Sequence, residues 1–309
     1  MNKLQTYESK LLSLIEKNQT IVVITAENRI SLRNIPPKLG ANFIDVGISE
    51  QNLIGIGAGL AKQGFLPIMH GMSAFLTMRA FEFIRTDLGY PSLPSVLVGT
   101  FNGLSGSANG TANGPTHQAI EDIALMRLIP NMTVVAPSDL TETCNILDYI
   151  EDLKGPLYIR DSNFGVINLK REKFVWGKNE CIVEGNDLAM LSYGTILDVC
   201  LRVSTKLSAQ NIPHSVYNMR FLKPIDELTL QQVFQNHKTI YVIEDHIEMG
   251  GLGSIVKEYA LKNKKSNKIV LLNLQENFFK PANFEEALDY AGFSENKIFD
   301  KIMSNSNNV

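Results

Sequence analysis

The 309-residue chain exceeds one ordinary domain of roughly 100–200 residues, so two compact domains are expected. Hydrophobic residues at 44% and charged residues at 20% lie near globular averages, which excludes a disordered, collagenous or coiled-coil chain. A formal charge of -3 leaves no overall footprint for nucleic acid, and no apolar run reaches the roughly 18 residues of a membrane span, so neither nucleic acid nor membrane is an expected partner.

In chain order, residues 1–20 read as a polar opening helix with no apolar core of a signal segment. Residues 21–25 and 41–46 are short, β-branched runs that read as strands. Helix 47–63, strand 66–69, helix 73–86, strand 95–99, helix 116–128, strand 133–136 and helix 140–153 follow. Such alternation predicts a mostly parallel sheet with helical crossovers. Gly165, Gly177, Gly185, the charged run 170–173 and the single tryptophan, Trp176, interrupt the pattern. A first domain over 1–165, a linker over 166–186 and a smaller second domain over 187–309 are therefore expected. In the second, strands 188–192, 214–218 and 239–243 alternate with helices 197–209 and 228–235. The fold class is α/β, two domains, each a mostly parallel sheet flanked by helices. Cys144, Cys181 and Cys200 are too few and too scattered for a disulfide framework or a zinc site, and a reducing, cytoplasmic location is expected.

Ligands of open α/β sheets gather beyond the carboxyl ends of strands, here the loops after Val46, Met69, Gly99 and Ala136. In GISEQNLIGIGAGLA, Glu50 opens a helix carrying Gly55, Gly57 and Gly59, each unfavourable by roughly 1 kcal/mol against Ala, so close backbone packing is implied. Glu50 is either a first-turn carboxylate complementing the helix dipole or a functional acid. In HGMSAFLTMRAFEFIR, Phe75, Met78, Phe81 and Arg85 recur at helical spacing and form either core or one wall for a flat heterocycle. Gly103, Gly106, Gly110 and Gly114 lead to Pro115, Thr116 and His117, where Pro and Thr suit a helix start. A histidine on that opening turn is disfavoured as a cation, which leaves a merely satisfied side chain or a binding residue.

At these motifs, and over nearly its whole length, the chain resembles the C-terminal two-thirds of transketolase and its thiamine-diphosphate relatives. GISEQN, AFLTMRAFEFIR, GPTHQAIEDIALMRLIPNMTVVAPSD and YIRDSN fall in the family's order. The resemblance implies a thiamine-diphosphate pyrimidine-binding domain followed by a transketolase C-terminal-like domain. It implies that Glu50 hydrogen-bonds N1′ of the aminopyrimidine and that Phe75, Met78 and Phe81 pack around that ring, where the family usually has Phe, Phe and Tyr. Glu27 stands where an Asp near the thiazolium is usual. His117 matches the histidine that contacts the donor sugar and relays protons, Arg160 an arginine that binds substrate phosphate, and Ser31 a serine at the same end of the channel. Asn113 replaces the family's acidic residue, and Phe101 or Asn102 its THD histidine, which implies a pocket less anionic than usual and a changed sugar.

The family's diphosphate and metal site, GDG followed by Asn, has no counterpart in the sequence, and no metal ligand is assigned to this chain. The resemblance therefore implies half of a split transketolase-like transferase, with a separate subunit carrying GDG and holding diphosphate and Mg2+ in an α2β2 assembly. Two-carbon ketol transfer from a ketose phosphate to an aldose is expected. Alternatives are the β subunit of a 2-oxo acid dehydrogenase, distinguished by CO2 release and a lipoyl partner, and a non-catalytic paralogue, against which Glu50 and His117 weigh. The cluster Glu244, Asp245 and His246 in the second domain is a weak catalytic signal.

Overall fold

A computed structural model describes residues 3–29, 31–105, 111–112, 114–161 and 174–306. Asn113, Gly106, Gly110, Gly165 and residues 166–173 of the expected linker lie outside them. The first sheet has seven strands in the order Phe221–Lys223, Thr133–Val135, Pro156–Arg160, Ser95–Thr100, Leu66–Met72, Ile21–Thr25, Phe43–Asp45. All neighbours run parallel except Phe221–Lys223, which joins the edge antiparallel from within the second domain's stretch of chain. The second sheet orders Lys268–Leu272, His237–Ile243, Asp187–Ser192, His214–Asn218 and Glu180–Val183, with only the last strand antiparallel.

Side chains of a strand alternate between faces, and a sheet covered on both sides must be apolar on both. Ile21 and Val23 accordingly pack with Tyr7, Leu11 and Ile15 of the helix Lys3–Lys17 on one face. Val22 and Ile24 pack with Leu53 and Ile54 of the helix Glu50–Lys62 on the other. That second cluster continues through Ile123 and Met126 into Leu191, Val242 and Leu252 of the second domain, so one apolar core spans both sheets.

Several stretches depart from the sequence expectation. The stretch expected as helix 73–86 is built of wide π-helical turns, Phe75–Arg79 and Ile84–Gly89, joined by Phe81–Phe83. The helix expected from 116 begins only at Asp122, because Gly114 has φ 79° and its carbonyl receives the N–H groups of both His117 and Gln118 in a tight turn. Pro156–Arg160, Leu252–Lys262 and Lys268–Leu272 are elements that the pattern did not reveal. Among the described residues no helix is long and apolar enough to cross a membrane.

The three glycines of the helix Glu50–Lys62 differ in what surrounds them. A Cβ on Gly57 would stand 2.2 Å from Sδ of the fully buried Met69, whereas Gly55 and Gly59 face open space. Gly57→Ala is expected to destabilise the chain by about 1–3 kcal/mol through overpacking. Gly55→Ala and Gly59→Ala are expected to stabilise the isolated chain by up to about 1 kcal/mol each through helix propensity. Urea unfolding of the three variants checks this, and a loss at Gly55 or Gly59 in the isolated chain would refute it.

Candidate active site

Ser95–Thr100, Leu66–Met72, Ile21–Thr25 and Phe43–Asp45 are consecutive in the sheet, and all point the same way. The loops at their carboxyl ends therefore meet at one place. There a cavity of about 450 Å3 is lined by Ala26 to Arg29, Arg33, Ile48, Glu50, Met72, Phe75, Phe101 and His117.

Asp45 ties the first two loops together. Its carboxylate accepts hydrogen bonds from the N–H groups of Glu27 at 3.2 Å and Gly47 at 3.0 Å, and from Nε of Arg29 at 2.7 Å. Partial burial alone would raise the Asp45 carboxyl, but the Gly47 N–H, the Arg29 guanidinium and the Glu27 N–H hold it below the ordinary range. The N–H of Glu27 reaches Asp45 from the left-handed region at φ 59°, and Phe101 on the opposite lip has φ 59° as well. Such conformations persist in non-glycine residues only where surroundings impose them, and both border the cavity. Beneath them the amide of Asn28 donates to Oγ1 of Thr100 at 2.6 Å and joins the first loop to the fourth.

Glu50 begins its helix after Ser49, whose hydroxyl turns back to the Val46 carbonyl at 2.8 Å. The glutamate is only 2% exposed. Its carboxylate accepts a hydrogen bond from Nη1 of Arg79 at 2.6 Å, and the same guanidinium lies 4.5 Å from the ring centroid of Phe75. His117 meets Phe75 edge-on, 5.1 Å between centroids at 70°. Oγ1 of Thr116 lies 2.8 Å from Nδ1 of His117, and Nε2 makes no hydrogen bond among the described residues. Gln118, buried beside it, has both amide atoms unpaired among the described residues.

Glu50, Phe75, Glu27 and His117 thus share one cavity. Met78 does not: the wide π turn places it 38% exposed and off the wall. Phe81 packs against the core instead, and half-buried Ser31 lies outside the lining. Sequence reasoning missed Arg29, Arg33, Asn28 and Arg79. The first three sit in TAENRISLR beside Glu27, and Arg79 lies four residues after Phe75, a spacing that was available to read.

Arg160 requires a correction, because it is 1% exposed and turned away from the cavity lining. Nε donates to Asp122 at 3.0 Å, Nη1 to Asp245 at 2.9 Å, and Nη2 to the Ala119 and Asp245 carbonyls. With all three nitrogens engaged, none is free for a substrate phosphate. Desolvation works against its charge, but Asp122 and Asp245 outweigh this and hold its pKa well above the ordinary value. Asp245 also accepts from the Leu104 N–H, and His246 accepts from the Ala124 N–H through Nε2. Burial pushes His246 down to about 4, so it is neutral. Glu244 accepts from the Leu252 and Gly253 N–H groups at the start of a helix and from the Tyr193 hydroxyl. The cluster of residues 244–246 therefore bonds helices and domains together. Among the described residues no group of three His, Cys, Asp or Glu side chains is placed to hold a metal ion.

The family described as transketolase, pyrimidine binding domain, matches residues 4–163, and transketolase, C-terminal domain, matches residues 177–298. The protein of Methanocaldococcus jannaschii named "putative transketolase C-terminal section" is 33% identical over 304 residues, covering 96% of this chain and 94% of that one. The 1-deoxy-D-xylulose-5-phosphate synthase of Dictyoglomus thermophilum is 34% identical over 306 residues, and the chain spans 97% of its own length but only 48% of that relative. A solved structure described as a split gene transketolase, inactive β4 tetramer, superposes with a TM-score of 0.86 at 29% identity over 98% of this chain and 97% of that one.

Removing the Arg160 charge leaves two carboxylates buried without it, and Arg160→Met is expected to cost about 3–5 kcal/mol in denaturant unfolding. A loss under about 1 kcal/mol would refute the joint. Burial raises the Glu244 carboxyl from 4.5 to about 7, against its backbone and Tyr193 donors. The folded protein then keeps a proton that the unfolded chain releases, so the stabilisation is full below pH 4.5 and is lost as pH rises through about 7. The stability difference between the parent and Glu244→Gln should shift against the parent across that window and then level off. Unfolding at stepped pH reads it, and a pH-independent difference would contradict it.

Proposed function

The chain belongs to the transketolase family of thiamine-diphosphate-dependent transferases, and from that premise we propose that it is the pyrimidine-binding half of a split transketolase. The reaction proposed is transfer of a two-carbon ketol unit from a ketose phosphate to an aldose. The observation that carries the reading is the pairing of a nearly water-free carboxylate, Glu50, with the ring face of Phe75 in one cavity. A flat aminopyrimidine with a protonatable ring nitrogen fits such a pair. Thiamine diphosphate, when bound, supplies the carbon nucleophile for breaking and remaking a carbon–carbon bond beside a carbonyl.

The roles proposed for this chain's residues rest on their positions. Glu50 holds the ring nitrogen by a hydrogen bond and moves a proton to and from it, with little competition from water. Phe75 carries the ring face. His117, fixed at Nδ1 by Thr116, offers Nε2 for a proton at a substrate hydroxyl. Arg33, exposed on the cavity wall with no ion pair among the described residues, replaces Arg160 as the cation for a substrate phosphate, and Arg29 is already committed to Asp45. Asn113 and Ser31 stay candidates for sugar hydroxyls.

A partner subunit carrying GDG is proposed to hold the diphosphate and Mg2+, in an α2β2 assembly. Support comes from the similar solved chain, described as a split gene transketolase, inactive β4 tetramer, and from the Methanocaldococcus jannaschii relative named a transketolase C-terminal section, 94% of which this chain matches. Calorimetry with thiamine diphosphate and Mg2+ should give tight binding only when the GDG-bearing chain is present. In the mixture Glu50→Gln should lower kcat at least about 100-fold in a ketol-transfer assay. Parent-like turnover by that variant would remove Glu50 from its role, and tight binding by this chain alone would remove the partner from the reading.

A further inference from the structure

Arg79 makes both of the contacts that the proposed function assigns to the aminopyrimidine. Its flat guanidinium lies over the Phe75 ring at 4.5 Å, and its Nη1 donates to the Glu50 carboxylate at 2.6 Å. A planar group of similar polarity thus stacks and hydrogen-bonds on the same two residues. The π-helical turn Phe75–Arg79 accounts for the arrangement, because residues four apart share a face and the turn ends at Arg79.

We infer that Arg79 is a place-holder for the pyrimidine, a positioning residue that occupies Glu50 and Phe75 in the empty pocket and gives way on binding. This rests on the pyrimidine reading of the pocket. The need for such a residue is physical. The Glu50 side chain is 3% exposed, and a buried carboxylate without a partner is strongly unfavourable. Arg79 is its hydrogen-bond partner among the described side chains. The ability to leave is equally visible, since the Arg79 side chain is 42% exposed and makes no other hydrogen bond among the described residues. Its departure returns a cation to water while Glu50 exchanges the guanidinium N–H for the N–H of the pyrimidine ring nitrogen, which takes up a proton from solvent as it binds. Arg79 therefore keeps the carboxylate partnered and oriented between ligands, and competes with the ligand for it.

The test uses a probe without diphosphate, 4-amino-5-hydroxymethyl-2-methylpyrimidine, titrated by NMR into the parent chain, Arg79→Met, Arg79→Lys and Glu50→Gln. Loss of one charge-assisted competitor corresponds to about a tenfold gain in affinity. Arg79→Met should bind about tenfold more tightly than the parent, Arg79→Lys should fall between them, and Glu50→Gln should lose binding. A merely structural arginine would give weaker binding in Arg79→Met and no gradation with Lys. Unchanged or weaker binding in Arg79→Met, with Glu50→Gln still defective, would overturn the place-holder and leave the pyrimidine site standing. No binding in any protein, or parent-like binding in Glu50→Gln, would overturn both.

Discussion

Arg160 carries its charge to a position with almost no water, and two carboxylates from different domains make that position tolerable. Asp122 belongs to the helix that follows the glycine-rich loop, and Asp245 follows the interior strand His237–Ile243 of the second sheet. A buried ion pair adds little stability over apolar packing but is severe when half of it is lost, so this joint acts mainly on register. The geometry around it is narrow. A Cβ on Gly103 would stand 1.8 Å from Oδ2 of Asp245, so the turn after Ser95–Thr100 closes only around that carboxylate. The strand Phe221–Lys223, which crosses to the edge of the first sheet, and the bonds of Arg220 and Asn218 to Glu142 extend the joint along the boundary.

The joint reaches the cavity by a short route. Asp122 also receives the Tyr158 hydroxyl at 2.8 Å, and that hydroxyl lies 3.1 Å from Ser73, two residues before Phe75. The residues that hold the domains in register thus also hold the start of the π-helical segment. Rigid support behind a site is what fixes side-chain geometry within it. The division of labour is clear from burial: Ser73, Tyr158, Asp122 and Arg160 are buried, whereas Arg79, Arg29 and Arg33 on the open side reach solvent.

Much of this was legible in the sequence because it depends on local pattern. Short apolar runs alternating with amphipathic stretches announced the parallel sheets, and strand ends pointed to the loops that bear Glu50, Phe75 and His117. What failed depended on tertiary environment. Nothing local in YIRDSN shows that two distant aspartates will enclose its arginine. The helical spacing of Phe75, Met78 and Phe81 assumed 3.6 residues per turn, whereas the π turns remove Met78 from the wall. The run Phe221–Lys223 gave no sign that it would leave its own domain's sheet, since strand pairing across domains is set by packing.

The contrast between the two buried acids of opposite fate, Asp122 and Glu50, completes the argument. Each is 2% exposed or less, and each has an arginine. Asp122 is paired with an arginine that is itself buried and triply bonded, so exchange of partners would require opening the domain boundary. Glu50 is paired with an arginine whose other donors face water, so exchange requires only a side-chain rotation. Burial of the acid fixes how strongly a partner is needed, and burial of the base fixes whether that partner can be replaced. By that criterion the Asp122 pair is architecture, and the Glu50 pair is the place where a ligand can enter.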